Sequence, residues 1–362
     1  MFNHGIIHSN WYEYALTTLS FCLCLGIIFV CSRLPWLSGR ACDLSAVQSM
    51  HTRPTPRVGG IAVFGALGLF SIFGLLPISE TYSGFAFITS LLFFVGLAED
   101  FGLHMSPRRR MLAAISSSLL TIWLFGVWLP RTGIPVLDPL MEYSVAGIPL
   151  TILVTAGISN GFNLIDGVNG LASFTAIVAA LALSQIAEVS GYSTMVHLPM
   201  FLAAGVFGFF IVNYPLGLIF LGDAGAYTIG FVLSWFGIAV LVNAPDVSPW
   251  AILLTFFWPA ADTTLAIYRR FRRNANVSTP DRLHVHQIMM RGLEICILGQ
   301  KRRQLSNPLT TLVLAPFVIA PPIAGVLLWN QNRNAFLAVL AFGLLLFVGY
   351  AAAPSLIRRF RR

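Results

Sequence analysis

Residues 160–171 read Asn-Gly-Phe-Asn-Leu-Ile-Asp-Gly-Val-Asn-Gly-Leu and lie between two strongly apolar runs, about 148–158 and 171–183. Polar side chains recur there at every third position, at Asn160, Asn163, Asp166 and Asn169. Carboxamides and carboxylates are costly at membrane depth and persist mainly where they line a pathway or a site. A plain Asn-Gly turn between two helices is the alternative, but four polar groups at steps of three argue against it. The stretch therefore predicts a functional site between two apolar segments.

The composition indicates an integral membrane protein. Of the 362 residues, 57% are hydrophobic and 10% are charged, whereas soluble domains carry about 25% charged residues. Repeated apolar runs of about 20 residues are each long enough to cross roughly 30 Å of hydrocarbon as a helix. We therefore predict an all-α fold, a polytopic membrane helical bundle of about 11 (10–11) transmembrane helices. We interpret residues 1–362 as a single integral-membrane domain.

The predicted spans divide the chain into loops whose charges can be compared. The apolar segments are about 12–31, 58–77, 84–98, 110–129, 148–162, 168–187, 198–213, 224–242, 249–268, 309–328 and 335–353. Strict alternation places every Lys and Arg on one side of the membrane except Arg131 and Arg333. Cytoplasmic loops are enriched in Lys and Arg, so this side is predicted to be cytoplasmic. The N-terminus is then outside, and the C-terminus and residues 160–171 face the cytoplasm.

Four further groups of polar residues fall on the same predicted face. They are the basic, proline-rich segment 51–60 with Arg57, the adjacent carboxylates Glu99 and Asp100, segment 220–225 with Asp223 between glycines, and the basic loop after Asp262 with Arg282, His284 and His286. Each has a plainer interpretation as a positive-inside flank, a solvated helix end, a helix cap or a charged loop. Adjacent carboxylates at the end of a span, however, cost several kcal/mol to desolvate unless a cation or proton compensates.

Taken together, these groups supply the parts of a phosphate-handling site. Their carboxylate and amide oxygens suit a hard divalent cation such as Mg²⁺, whose shell is often completed by substrate phosphates. Their Arg and His side chains are donors for phosphate oxygens. We therefore expect phosphoryl transfer between a soluble nucleotide and a lipid phosphate, a reaction that needs mainly positioning and charge neutralisation.

From about residue 51 to residue 292, the chain resembles the polyprenyl-phosphate N-acetylhexosamine-1-phosphate transferases of glycosyltransferase family 4. The resemblance rests on Asn-x-x-Asn-x-x-Asp-Gly-x-x-Gly-Leu, then Gly-Asp-x-Gly, then Pro-Asp-Arg-x-His-x-His, in that order. This family moves a sugar-1-phosphate from a UDP-sugar to undecaprenyl phosphate with Mg²⁺ and releases UMP. The resemblance implies a bacterial inner-membrane enzyme with a cytoplasmic active site that starts O-antigen or another cell-envelope polysaccharide. Its cofactor is expected to be Mg²⁺, with Mn²⁺ as a second choice.

Matched position by position, the family motifs imply roles for individual residues. The implied metal ligands are Asn163 and Asp223. The implied catalytic residues are Glu99, Asp100, Asp166, His284 and His286, with the paired acids near the lipid phosphate and the histidines in a loop that closes over phosphates and sugar. The implied substrate-binding residues are Phe220, Asn169, Arg282, Asn160 and Arg57, with Phe220 stacked on uracil and Asn169 contacting that base. The expected partners are a UDP-N-acetylhexosamine, undecaprenyl phosphate and membrane lipid, without nucleic acid; a homodimer is left open.

The chain departs from the family pattern at three positions. The usual Asp-Asp is Glu99-Asp100, Asn169 stands where many members have Asp, and Gln287 replaces a third His. The muramoyl-pentapeptide branch carries three consecutive His, so the chain looks more like the branch that starts O-antigen, enterobacterial common antigen or teichoic-acid linkage chains. That pentapeptide branch and a polytopic lipid transporter or flippase are the alternatives. A transporter predicts ionisable residues near mid-span, and the predicted spans have almost none.

Overall fold

The computed structural model of the protein describes residues 9–34, 55–73, 80–103, 105–272, 283–299 and 302–360. Within these ranges the chain is helical and contains no strand. The helices are α1 (Ser9–Arg33), α2 (Gly59–Ile72), α3 (Glu80–Asp100), α4 (Pro107–Phe125), α5 (Asp138–Met141), α6 (Ser144–Ile165), α7 (Leu171–Val189), α8 (Thr194–Asn213), α9 (Gly222–Asn243), α10 (Pro249–Thr255), α11 (Phe257–Arg272), α12 (Val285–Leu293), α13 (Arg303–Leu327) and α14 (Asn332–Arg359).

Each predicted apolar segment falls on one of these helices, except 249–268, which is divided between α10 and α11. Eight of the described helices are long and apolar enough to cross a membrane, namely α1, α3, α6, α7, α8, α9, α13 and α14. A ninth span results if α10 and α11, which are bent by 86° at their break, are taken together. The two remaining segments lie on α2, which has only 14 residues, and on α4, whose first turn carries three Arg. The all-helical membrane fold is confirmed, and the count of about 11 spans and the orientation of the termini stay predictions.

The boundary between α6 and α7 differs from the predicted one. The predicted loop was 163–167, but α6 continues to Ile165 and α7 begins at Leu171. Asn160 and Asn163 therefore lie on the last turns of α6, and the break itself is formed by residues 166–170. Gly170 takes a positive φ of 79°, a conformation that glycine adopts without steric cost, and this separates the two helices.

Helix α9 is the centre of the bundle. In its apolar 18-residue stretch, 89% of the residues are buried, compared with 6% in the corresponding stretch of α14. Helix α9 packs against α2, α3, α6, α7 and α8. Helix α3 approaches the start of α9 closely, since a Cβ added at Gly96 would lie 2.6 Å from the backbone of Ala224. Small residues allow such close helix packing in membranes, where dispersion contacts replace the hydrophobic effect as the driving force. Residues from other parts of the chain also contact both ends of α9.

The C-terminal end of α9 is capped by Arg131. Its guanidinium donates hydrogen bonds to the carbonyl oxygens of Leu241 at 2.7 Å, Ala244 at 3.1 Å and Val247 at 2.6 Å. The last carbonyls of a helix have no partner within the helix, and a cation beside them also complements the helix dipole. This contact accounts for a basic residue on the predicted outer side of the membrane.

We expect Arg131→Leu to lower the Tm of the detergent-purified protein by about 5 °C, because the carbonyls at the end of α9 lose their donor, at roughly 1–3 kcal/mol for each group left unpaired. The matched control is Arg333→Leu, which removes the other basic residue of the predicted outer side from an exposed position. It should change the Tm by less than about 1 °C. Equal Tm values for the two variants would contradict the capping role.

Candidate active site

The N-terminus of α9 is capped by the carboxylate of Asp100, the last residue of α3. The backbone N–H of Asp223 donates to Asp100 Oδ1 at 2.8 Å, and that of Ala224 donates to Oδ2 at 2.9 Å. Asp100 is only 5% exposed. A buried carboxylate is stabilised by the free N–H groups and the positive end of a helix dipole. Asp100 therefore fixes the first turn of α9, the turn that carries Asp223.

Asp223 lies between two arginines from different parts of the chain. Its Oδ2 accepts a hydrogen bond from the guanidinium of Arg110, and its Oδ1 is 3.9 Å from a terminal nitrogen of Arg57. Asp223 is 6% exposed, so this charge is compensated at a largely buried position. The Arg110 guanidinium also lies 5.9 Å from the ring centroid of Tyr227, one helical turn after Asp223.

Asn163 reaches the same face of α9 from α6. Its side chain is hydrogen-bonded to Tyr227. Residues four apart on a helix share a face, so Tyr227 and Asp223 point into one region. The structure thus brings the two predicted metal ligands, Asn163 and Asp223, to the same cluster. Tyr227 of α9 connects them, because it lies one turn after Asp223 and is hydrogen-bonded to Asn163.

Asp166 adds a third carboxylate at the start of α9. It follows directly after α6 and is bonded to the backbone N–H of Gly222. The pKa of Asp166 is raised to about 6, mainly because burial disfavours the charged carboxylate; Arg57 opposes this shift and the nearby Asp223 carboxylate contributes to it. Part of the Asp166 side chain stays accessible, but the surrounding protein removes most of its hydration. Asp100, Asp166 and Asp223 therefore converge on one helix end.

We expect Asp166→Asn to raise the Tm of the protein in EDTA by about 2–4 °C at pH 8, with the gain disappearing as the pH falls to 4. The folded pKa is raised, so the stability that protonated Asp166 contributes is present below pH 4 and is lost as the pH rises through 6. The control is Asp246→Asn, which removes an exposed carboxylate between α9 and α10 and should leave the Tm unchanged at both pH values. A gain that is the same at pH 4 and pH 8 would contradict this assignment.

Glu99 belongs to the edge of this cluster. Its carboxylate accepts a hydrogen bond from the N–H of Met105, and it interacts electrostatically with Arg110. The neighbouring acids Glu99 and Asp100 therefore have different surroundings. Asp100 is held by the backbone of α9, whereas Glu99 is bonded to the turn that precedes α4.

Asn169 is held by two distant parts of the chain. Its backbone N–H donates to Asn307 Oδ1 at 2.7 Å, and its carbonyl oxygen accepts from Thr311 Oγ1 at 2.7 Å. Its side-chain amide donates to the carbonyl of Pro215 at 2.8 Å, while its Oδ1 is buried and has no hydrogen-bond partner in the part of the chain that the structure describes. Helix α13 therefore supports the 166–170 turn. Asn160 lies half-buried on α6, one turn before Asn163.

Phe220 is positioned through its main chain. Its N–H donates to the carbonyl of Pro56 at 2.8 Å, and its own carbonyl accepts from Gly59 N–H at 2.8 Å. The side chain is half-buried. These bonds join the segment before α2, which carries Arg57, to the segment before α9. They place Arg57 and Phe220 at the same end of the bundle as Asp223.

One of the two predicted histidines, His286, lies beside Gly167 of the 166–170 turn. His286 is 1% exposed, and a Cβ added at Gly167 would lie 2.6 Å from its Nε2. The rings of His284 and His286 are stacked with centroids 5.8 Å apart. Burial lowers the pKa of His286 to about 4, with Asp262 opposing and His284 adding to the shift. His286 is therefore neutral at pH 7 in this arrangement, and Arg282 lies outside the described residues.

Three residues that contact the predicted site residues were not themselves predicted as site residues. Arg110 has the sequence signature of a positive-inside flank, Tyr227 lies in an apolar span, and Asp262 was noted without a role. The spacing of Tyr227 from Asp223 by one helical turn is the signal that could have indicated it. For Arg110 and Asp262 the sequence holds no local signal, because their partners lie 113 and 22 residues away.

The donor set of the cluster fits a magnesium ion. In the part of the chain that the structure describes, no three His, Cys, Asp or Glu side chains are grouped as a complete metal cage. Mg²⁺ does not require one, since it is usually bound by one or two carboxylates together with water and substrate phosphates. The oxygens of Asn163 and Asp223, with Asp166 nearby, are hard ligands of the type it prefers.

The fold is that of a polytopic membrane protein, with a polar cluster at the ends of α3, α6 and α9. The model of the family described as "Glycosyl transferase family 4" matches residues 82–241, from α3 to α9. The chain is 27% identical over 258 residues to a probable undecaprenyl-phosphate N-acetylglucosaminyl 1-phosphate transferase of Bacillus subtilis, covering 69% of this chain and 70% of the relative.

Two further relatives match over greater lengths. An undecaprenyl-phosphate alpha-N-acetylglucosaminyl 1-phosphate transferase of Yersinia pestis is 26% identical, with 94% of this chain and 93% of the relative covered. A decaprenyl-phosphate N-acetylglucosaminephosphotransferase of Mycobacterium tuberculosis is also 26% identical, with 86% and 81% covered. The resemblance inferred from the motifs is confirmed by the family model over residues 82–241 and by these relatives.

Proposed function

We propose that the protein transfers an N-acetylhexosamine-1-phosphate from a UDP-sugar to undecaprenyl phosphate, forming undecaprenyl-diphosphate-sugar and UMP. The observation that carries this proposal is the convergence of Asn163, Asp166 and Asp223 with Arg57 and Arg110 on the N-terminus of α9. The names of the relatives, which act as polyprenyl-phosphate N-acetylglucosaminyl 1-phosphate transferases, support it. The positive-inside pattern supports a site that faces the cytoplasm. The resemblance to the family supports a bacterial inner-membrane enzyme that starts O-antigen or another envelope polysaccharide.

The reaction is a displacement at phosphorus. An oxygen of undecaprenyl phosphate attacks the phosphorus that bears the sugar, the bond from that phosphorus to the bridging oxygen breaks, and UMP leaves with that oxygen. Such a reaction depends on positioning and on neutralising phosphate charge. Arg57 and Arg110 supply fixed positive charge beside Asp223. Mg²⁺, held by Asn163 and Asp223, would supply further neutralisation of the pyrophosphate when bound.

The two adjacent acids take different roles in this proposal. Both oxygens of Asp100 accept backbone N–H groups of α9, so Asp100 holds the helix that carries Asp223. Glu99 is bonded to the turn before α4 and is the better candidate to assist the lipid phosphate. His284 and His286 would contact phosphate or sugar, together with Arg282. Phe220 and Asn169 would bind the uracil base, as the family resemblance implies.

The direct test is transfer by the purified protein. We expect labelled UDP-N-acetylglucosamine, undecaprenyl phosphate and Mg²⁺ to give a labelled lipid and UMP, with Mn²⁺ as a weaker substitute and EDTA abolishing the product. A panel of other UDP-N-acetylhexosamines and UDP-N-acetylmuramoyl-pentapeptide identifies the sugar and tests the alternative branch. Absence of labelled lipid with every donor would overturn the proposed function.

We expect Asp223→Asn to reduce transfer by on the order of 10²–10³-fold, because the site loses the carboxylate that faces both arginines and the proposed metal. Membrane insertion and yield should stay unchanged. Asp246→Asn, the same substitution at an exposed position, serves as the control and should retain full activity. Transfer by Asp223→Asn within about tenfold of wild type would contradict the metal assignment.

A further inference from the structure

Asp262 is a buried carboxylate with two donors from a different segment. It lies on α11, after the 86° break in the α10–α11 pair, and is 1% exposed. Its Oδ2 is 2.7 Å from His284 Nδ1, and its Oδ1 accepts from the N–H of Val285 at 3.1 Å. A carboxylate at such depth is unfavourable unless its oxygens are bonded. Asp262 therefore joins the broken span to the start of α12.

This pair determines which nitrogen of His284 carries hydrogen. An ionised carboxylate only accepts hydrogen bonds, so the hydrogen between Asp262 and His284 resides on Nδ1. In the neutral ring, Nε2 is then the nitrogen with the free electron pair. The backbone N–H of His284 is bonded to Gln287 Oε1 at 3.3 Å, which begins α12 at a defined residue. The tautomer of His284 and the start of α12 thus depend on one carboxylate.

The same contact determines where His286 lies. His286 stands in the first turn of α12, its ring stacks on that of His284, and its Nε2 lies against Gly167, the residue after Asp166. Both ring nitrogens of His286 are buried and have no hydrogen-bond partner among the described residues. Its position is therefore set by packing and by the fixed start of α12. Displacement of that start would move His286 away from the 166–170 turn.

We propose that Asp262 is a positioning residue for the transfer reaction, which fixes the tautomer of His284 and holds His284 and His286 beside Asp166. This inference rests on the proposed function. The side-chain contact of Asp262 in this region is with His284, whose ring stacks on that of His286. Asp262 should therefore affect turnover by acting on His284, and the effects of substituting the two residues should not be additive.

The test combines Asp262→Asn, His284→Ala and the double variant. An Asn amide can keep the bond to Val285 but donates to His284 Nδ1, which reverses the tautomer. We expect Asp262→Asn to lower kcat/KM by on the order of 10- to 100-fold, as the loss of a supporting carboxylate does elsewhere. The double variant should match His284→Ala within about threefold. Thr264→Val is the control on α11, since the exposed Thr264 hydroxyl bonds only within its own helix, and it should retain activity.

A spectroscopic measurement separates this role from general destabilisation. In ¹⁵N-histidine-labelled protein, the His284 signal is identified among the seven histidines as the one lost in His284→Ala. It should report hydrogen on Nδ1 in the wild type and on Nε2 in Asp262→Asn. An unchanged tautomer would overturn the proposal, as would losses from the two single variants that multiply in the double variant.

The outcomes also distinguish this inference from the proposed function. If wild-type protein shows no transfer, the proposed function has failed. If the wild type is active and Asp262→Asn retains full activity, the proposed function stands and the positioning role has failed.

Discussion

The two hydrogen bonds from the start of α9 to the Asp100 carboxylate are the contact on which the site depends. Helix α9 is the most buried spanning helix among those described, and five helices pack against it, so the placement of its first turn sets the geometry around it. A carboxylate is tolerated at this depth because unpaired N–H groups and the helix dipole compensate its charge. With the turn held in this way, Asp223 faces Arg57 and Arg110, and Tyr227 faces Asn163.

The charges of the bundle follow the direction of that helix. Anionic groups gather at the N-terminal end of α9 and are balanced by arginines, while Arg131 donates to carbonyls at the other end. The arrangement explains both the accumulation of acids on one face and the exceptional position of Arg131. The proposed ligands carry both phosphates and a cation, and a cluster of three carboxylates and two arginines offers groups of the kind that each would need.

The site extends beyond the segment that the family model matches. Residues 82–241 contain the acids of α3, α6 and α9, but Arg57 precedes that segment, and the Asp262–His284 pair and the supports from α13 follow it. Three parts of the chain therefore meet at the 166–170 turn. The late part enters through the break between α10 and α11, which directs α11 and its buried carboxylate towards the histidines.

The sequence by itself determined the helical membrane fold and the identity of the polar stretches, because a run of apolar residues long enough to cross hydrocarbon has few alternatives to a helix. It also indicated Asn163, Asp166 and Asp223 as one site, since their motifs share a predicted membrane face. Only the tertiary structure decided that Asp100 caps α9 while Glu99 does not. It also decided that Asn169 is hydrogen-bonded to α13 and that Arg110 forms an ion pair with Asp223. These contacts join residues far apart in the chain, and they follow from how the helices pack, which periodicity and composition do not encode.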